Sequence, residues 1–195
     1  MKTSLSQILR SPATVFTFKE ILLASDAVTS QQLKGRLHHY LATGSLHHIR
    51  RGLYAKDPNY NKFELATKIF TPSYISFETV LASAGVIFQH YSTIFIASYQ
   101  TREVHCDEQS YTFKKIKDYV LTNIAGIENT GTYYIASKER AFLDVLYLNK
   151  DYHFDNLSPL DFDKVHALLP LYHNKRMVKK VSEYLAAFIE EETHA

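Results

Sequence analysis

TSQQLKGRLHHYLATGSLHHIRRGLYAK, residues 29–56, is the stretch on which the reading of this chain turns. Its twenty-eight residues hold five Lys or Arg and four of the chain's ten His, with no Asp or Glu among them. Cations without intervening carboxylates make a surface suited to a polyanion. The stretch divides in two. From Ser30 to Thr43, Leu33, Leu37, Tyr40 and Leu41 recur at helical spacing, Thr29-Ser30-Gln31-Gln32 offers a capping oxygen at the start, and Gly44 fits the stop. From Leu46 to Ala55 the pattern is a tight hairpin. Leu46, Ile49, Leu53 and Tyr54 can anchor two short strands, and Arg50-Arg51-Gly52 makes a turn whose glycine tolerates positive φ.

Upstream, a short helix over Thr3 to Leu9 is closed by Ser11-Pro12, because proline cannot continue a helix. Thr17-Phe18-Lys19-Glu20 is a capping-box pattern that opens a second helix, with Ile21, Leu22 and Leu23 as its apolar surface and Ala24 to Val28 as the following turn. Helix, turn, helix and basic hairpin together predict a winged helix-turn-helix over residues 1–60. At 100° per residue, Gln31, Lys34, Gly35 and His38 point away from Leu33 and Leu37 and form the face expected to meet double-stranded DNA. Gln pairs with adenine, Lys reaches guanine or phosphate, and Gly35 removes a side chain where the helix approaches the groove wall. Arg36 and His39 flank this face as expected phosphate contacts. Gln32 at the helix start and His48 in the hairpin complete the candidate set with Arg50 and Arg51, which are expected at the hairpin tip against the backbone or a narrow minor groove. A polar helix face alone is ordinarily just solvated; the adjoining basic hairpin decides for nucleic acid.

The charge is unevenly spread. Residues 1–60 carry eight Lys or Arg against three Asp or Glu, and residues 61–195 fourteen against seventeen, so +5 and −3 make the net +2. With 195 residues, 46% hydrophobic, the chain can fill two modest cores. Its single cysteine, Cys106, excludes an internal disulfide, and the lack of a signal-like apolar start and of any long apolar run predicts a reduced, cytoplasmic protein without membrane spans.

Residues 61–195 read as a second domain, mixed α/β with a mostly antiparallel sheet, which makes the whole chain α+β. Tyr60 to Thr71 reads as a connecting helix, and Ser76 is expected to cap a helix ending at Gly85. Thr93 to Tyr99, Gln109 to Ile116, Tyr119 to Ile124 and Thr132 to Ala136 are rich in β-branched and aromatic residues and predict strands. Ser137 is expected to cap a helix over Lys138 to Leu148, Ser158-Pro159 to open one over Leu160 to Leu169, and Asn174 to start a last helix running to about Glu191.

Three segments occur in an order seen in one family: Ile49-Arg50-Arg51-Gly52-Leu53-Tyr54, Tyr74-Ile75-Ser76-Phe77-Glu78, and Ala136-Ser137-Lys138-Glu139-Arg140-Ala141-Phe142-Leu143-Asp144. In them the chain resembles the AbiEi-type antitoxins of abortive-infection, type IV toxin–antitoxin systems. Lys138 stands where that family often has proline. The resemblance implies an N-terminal winged helix that represses its own operon by binding promoter repeats. It also implies a C-terminal antitoxin-like domain over residues 61–195 that counters a nucleotidyltransferase-like toxin, generally without a stable toxin complex.

The residues do not favour an enzyme. A metal-dependent nuclease needs clustered carboxylates with a nearby lysine, and the strands offer no Asp…Glu-x-Lys arrangement. Glu139, Arg140 and Asp144 share one helix, where Arg140 and Asp144 have the i, i+4 spacing of an ion pair. The pairs His38-His39 and His47-His48 lack ligand spacing and His105-Cys106 lacks partners, so no metal and no cofactor is expected. The other reading that the pattern admits is a stand-alone transcriptional regulator with a sensing or oligomerisation domain.

Overall fold

The computed structural model describes residues 4–25 and 29–194. The first elements are α1 (Ser4–Arg10), β1 (Val15–Thr17), α2 (Phe18–Ala24), α3 (Ser30–Ala42), β2 (His47–Arg50) and β3 (Leu53–Ala55). Thr3 and residues 26–28 of the expected turn lie outside the described residues. Local chemistry sets the helix starts. The Thr17 hydroxyl accepts the Glu20 N–H at 3.1 Å while the Glu20 carboxylate accepts the Thr17 N–H at 2.6 Å, the reciprocal capping box. Thr29 caps α3 by accepting the Gln32 N–H at 3.2 Å. β1, which the sequence pattern did not suggest, pairs antiparallel with β3 and gives the order β1-β3-β2. Its three residues are too few to display a period; only the partner strand defines them.

The two faces of this small sheet serve different cores. Phe16 joins Ile8, Ile21, Leu33, Leu37 and Leu46 under the helices. Val15, Leu53 and Ala55 point the other way, into the large core of residues 60–181. Strand alternation thus makes one sheet the floor of both.

Beyond it follow α4 (Lys62–Ile69), β4 (Ser73–Ile75), α5 (Glu78–Ser83), β5 (Ile94–Ser98), β6 (Arg102–Cys106), β7 (Gln109–Lys115), α6 (Asp118–Leu121), β8 (Ile127–Asn129), β9 (Tyr134–Ala136), α7 (Lys138–Leu148), α8 (Phe162–Leu168), a 3-10 turn (Leu169–Tyr172) and α9 (Lys175–His194). The chain is mixed α+β, with mostly antiparallel pairing. The six-stranded sheet, ordered β6-β7-β5-β4-β9-β8, is itself mixed, since β4 pairs parallel with β9 and β5 parallel with β7.

Three expectations are corrected. Tyr119 to Ile124 is not a strand: residues 118–121 form one helical turn that buries Val120 and Leu121 and leaves Ile124 81% exposed. Its β-branched and aromatic content misleads because the Val120 and Leu121 N–H groups both bond the Lys117 carbonyl rather than a neighbouring strand. Ser76 caps nothing; it is buried, its hydroxyl donates to Asp144 at 2.7 Å, and α5 starts only at Glu78. α8 is capped by Asp161, whose carboxylate accepts the Asp163 and Lys164 N–H groups, so Ser158-Pro159 lies ahead of it.

Polar groups tie the small sheet to α4. The Glu64 side chain, 1% exposed, accepts the Thr14 N–H at 2.8 Å and the Thr14 hydroxyl at 2.7 Å. One turn on, Lys68 donates to the Val15 carbonyl at 2.6 Å and meets Glu20 at 3.0 Å. Burial alone would raise the Glu20 carboxyl, but the Thr17 N–H and Lys68 outweigh it and hold the group below its ordinary value. Glu64→Ala leaves the Thr14 N–H without its acceptor and is expected to cost about 1–3 kcal/mol in urea unfolding. An unchanged midpoint would mean that this junction carries no stability.

Candidate nucleic-acid interface

α3 divides as its spacing requires. Leu33 is fully buried and Leu37 3% exposed, whereas Gln31, Gln32, Lys34, Gly35, Arg36, His38 and His39 are all exposed. A Cβ built on Gly35 meets nothing within 4 Å. The chain's own packing therefore gives no reason for glycine there, although glycine inside a helix costs up to about 1 kcal/mol relative to alanine.

The hairpin differs from expectation at one arginine. Arg51 and Gly52 make the turn, Gly52 at φ +79°, and Arg51 is exposed. Arg50 instead ends β2, after an irregularity in pairing between His48 and Arg50, and is half-buried, not held at the tip. Its Nη1 is enclosed without a hydrogen-bond partner. The tip is itself fastened, because the Phe18 N–H donates to the Gly52 carbonyl at 2.9 Å and so joins the turn to the start of α2. His48 is exposed and leans on Tyr54, ring centres 5.5 Å apart.

The base of the hairpin is held from a distance that the sequence could not reveal. His47 lies 3.4 Å from Asp107 and stacks on Tyr60, whose hydroxyl donates to the same carboxylate at 2.7 Å. Asp107 comes from the β6–β7 turn, where it and Glu108 adopt left-handed backbone at φ 45° and 63°. The Tyr60 hydroxyl, with His47 and Lys62, holds the Asp107 carboxyl below its ordinary value against a partial burial that would raise it. His47 is thereby committed to this junction, while the neighbouring His48 is exposed.

The residues weighed for catalysis are buried. Arg140 and Asp144 are wholly buried, with Nε and Oδ1 3.4 Å apart. The Arg140 guanidinium donates to the carbonyls of Ala125 and Val120 at 2.8 and 2.7 Å and to the Tyr74 hydroxyl at 3.1 Å. Asp144 accepts from Tyr74 at 3.0 Å, Ser76 at 2.7 Å and Tyr172 at 2.7 Å. Complete burial pushes the Asp144 carboxyl above its ordinary value, opposed by Arg140 and the three hydroxyls. Two of the segments that carry the family resemblance thus meet here, Tyr74 and Ser76 against Arg140 and Asp144. The buried Glu139 accepts the Asp161 N–H at 3.3 Å. Among the described residues no three His, Cys, Asp or Glu side chains are grouped so as to hold a metal ion, and no helix is long and apolar enough to cross a membrane. No family model and no curated protein matches the chain.

Asp107→Asn removes the carboxylate that fastens the hairpin, so the variant should unfold at lower urea than the parent at neutral pH. A carboxyl whose folded pKa is depressed stabilises above its unfolded value, near 3.8, and loses that contribution as pH falls through the lower folded value. The gap between the two proteins should therefore be full at neutral pH and close at the acid end. A gap independent of pH would assign the loss to packing.

Proposed function

We propose that residues 1–60 form a winged helix-turn-helix that binds double-stranded DNA, with α3 as recognition helix and the β2–β3 hairpin as wing. One observation carries this reading. The order α1-β1-α2-α3-β2-β3, closed by the sheet β1-β3-β2, sets the exposed, carboxylate-free face of α3 in the same module as a hairpin whose turn presents Arg51. Gln31 and Lys34 are the base readers, with Gln32 and His38 beside them. Arg36, His39, His48 and Arg51 meet phosphates, and Gly35 is where helix and groove come closest. Arg50 contributes its charge from the end of β2, beside the turn.

The resemblance of the three sequence segments to AbiEi-type antitoxins supports the rest of the reading. In it the protein is a cytoplasmic antitoxin that represses its own operon through promoter repeats, and residues 61–195 counter a nucleotidyltransferase-like toxin without catalysis and without a stable complex. A chain carrying Lys34→Ala and Arg51→Ala should lose repression of its promoter and still protect cells that express the toxin. Loss of both activities in a chain that remains folded would sink the division of labour.

On DNA, Gln31→Ala or Lys34→Ala should weaken binding to the specific site by about 1–3 kcal/mol more than to random sequence. Arg51→Ala should weaken both and make the salt dependence shallower by about 0.9 in slope, the share of one neutralised phosphate. Equal losses on specific and random DNA from the helix variants would remove them as base readers.

Gly35→Ala separates folding from binding by sign. With open space around the site, alanine should raise stability by roughly 0.5–1 kcal/mol in thermal melts. The same methyl, set against the groove wall, should weaken specific binding. Tighter or unchanged binding would show that α3 does not approach DNA at this turn.

A further inference from the structure

No Asp or Glu stands in residues 29–56, yet the fold brings Asp107 to the base of the hairpin that ends this stretch. A carboxylate there opposes a polyanion. Lys62, 4.0 Å over the centre of the Tyr60 ring, lies close enough to act on it. The turn that delivers Asp107 is also an unusual one. Asp107 and Glu108 alone connect β6 to β7, with Cys106 paired to Gln109 across them, and both have left-handed backbone. Such two-residue turns favour Asn or Asp followed by glycine, and Glu108 meets the second position without glycine's freedom. A connection so short leaves no slack. Val104, Cys106 and Tyr111 on either side of it are buried in the large core, so the Asp107 carboxylate is a fixed point of the C-terminal region.

β2 is the strand that meets this fixed point. It forms an edge of the small sheet and pairs only with β3, and that pairing is irregular between His48 and Arg50. Leu46, buried in the small core, sets where the strand begins. His47, 3.4 Å from Asp107 and stacked on Tyr60, sets its course from there. His48 and Arg50 follow within three residues.

We propose that Asp107 is a positioning residue of the DNA interface: through His47 it fixes how β2 presents His48 and Arg50, which places the hairpin's affinity for DNA under the control of the C-terminal region. This role rests on the DNA-binding reading of the hairpin given above. Charge and position give it opposite signs in a test. His48 adjoins His47, which brings Asp107 within a Debye length, about 10 Å, of the phosphates that His48 meets. A carboxylate with no part in positioning would simply repel them, and its removal would tighten binding. Removal of a positioning carboxylate weakens binding instead.

Fluorescence anisotropy of the full chain on a mixed-sequence DNA duplex at neutral pH, over a range of salt, reads that sign, because backbone contacts need no specific sequence. Asp107→Asn should weaken binding by about tenfold and make the salt dependence shallower by up to about 0.9 in slope, the share of the phosphate that Arg50 neutralises. A loss that came only from unfolded chain would leave the slope unchanged and overturn the role. In a chain that already carries His48→Ala, Asp107→Asn should cost clearly less than it costs the parent; losses that multiply independently overturn it as well. Tyr60→Phe removes the hydroxyl that holds the carboxylate, keeps the ring against His47 and leaves the charge in place. It should weaken binding in the same direction, and if Asp107→Asn does not fold, a Tyr60→Phe chain that binds like the parent overturns the role. A parent that binds no duplex overturns the reading of the hairpin and this role with it. A parent that binds, and binds less well with Arg51→Ala, beside an Asp107→Asn chain that binds as tightly or more tightly, overturns the role of Asp107 alone.

Discussion

A guanidinium without access to water must find its hydrogen-bond acceptors inside the protein, and Arg140 imposes that demand on the C-terminal region. Two carbonyls, from Val120 and Ala125, turn inward to accept from it. The turn made by α6 and the segment after it are placed by that requirement as much as by their own sequence. Asp144, one helical turn along, needs donors in turn and takes them from β4, from the residue after it and from the 3-10 turn. Removing one partner of such a buried pair costs on the order of 3–5 kcal/mol, because the other charge is left uncompensated. The strand β4, the helix α7 and the turn carrying Tyr172 are therefore held in one arrangement by a single polar cluster. Its geometry joins the segments around Tyr74 and Arg140 in one buried polar cluster.

A similar logic operates at the small sheet. Glu64 and Lys68 reach from α4 to the backbone of residues 14 and 15, and the Gly52 carbonyl holds the start of α2. Asp107 fastens the other end of the hairpin through His47. The proposed recognition face is thus carried on a frame fixed at three places.

What the sequence made legible is what is decided locally. Thr17 with Glu20, Thr29 ahead of Leu33 and Leu37, and Ser137 ahead of α7 combine a capping oxygen with a helical period inside one or two turns, and all three helices start where these residues place them. The strands β1 and β4 depend on partners far along the chain, β6 and β8 pair with the strand that follows them, and all four are three to five residues long, too short for a period to emerge. Arg140 and Asp144 were readable as a pair by spacing, but their burial was not, since Tyr74 and Ser76 come from one distant segment and Tyr172 from another. Within the candidate site, the exposed face of α3 followed from its apolar stripe. The inward turn of His47 did not, because Asp107 approaches from sixty residues away, and an irregular pairing drew Arg50 off the tip.

The sheet β1-β3-β2, whose two faces floor two cores, also shapes what genetics can separate. A substitution at Val15, Leu53 or Ala55 disturbs the packing of residues 60–181 directly and, through the strands that also carry Phe16 and Tyr54, the seat of α3. Such alleles would act through the amount of folded protein in the cell and would dim every activity of the chain together. On the proposed reading, alleles that strike one activity alone fall on side chains projecting from the frame, such as Lys34 and Arg51. A collection of loss-of-function mutants should accordingly fall into two groups, distinguished by protein abundance and not by position along the sequence.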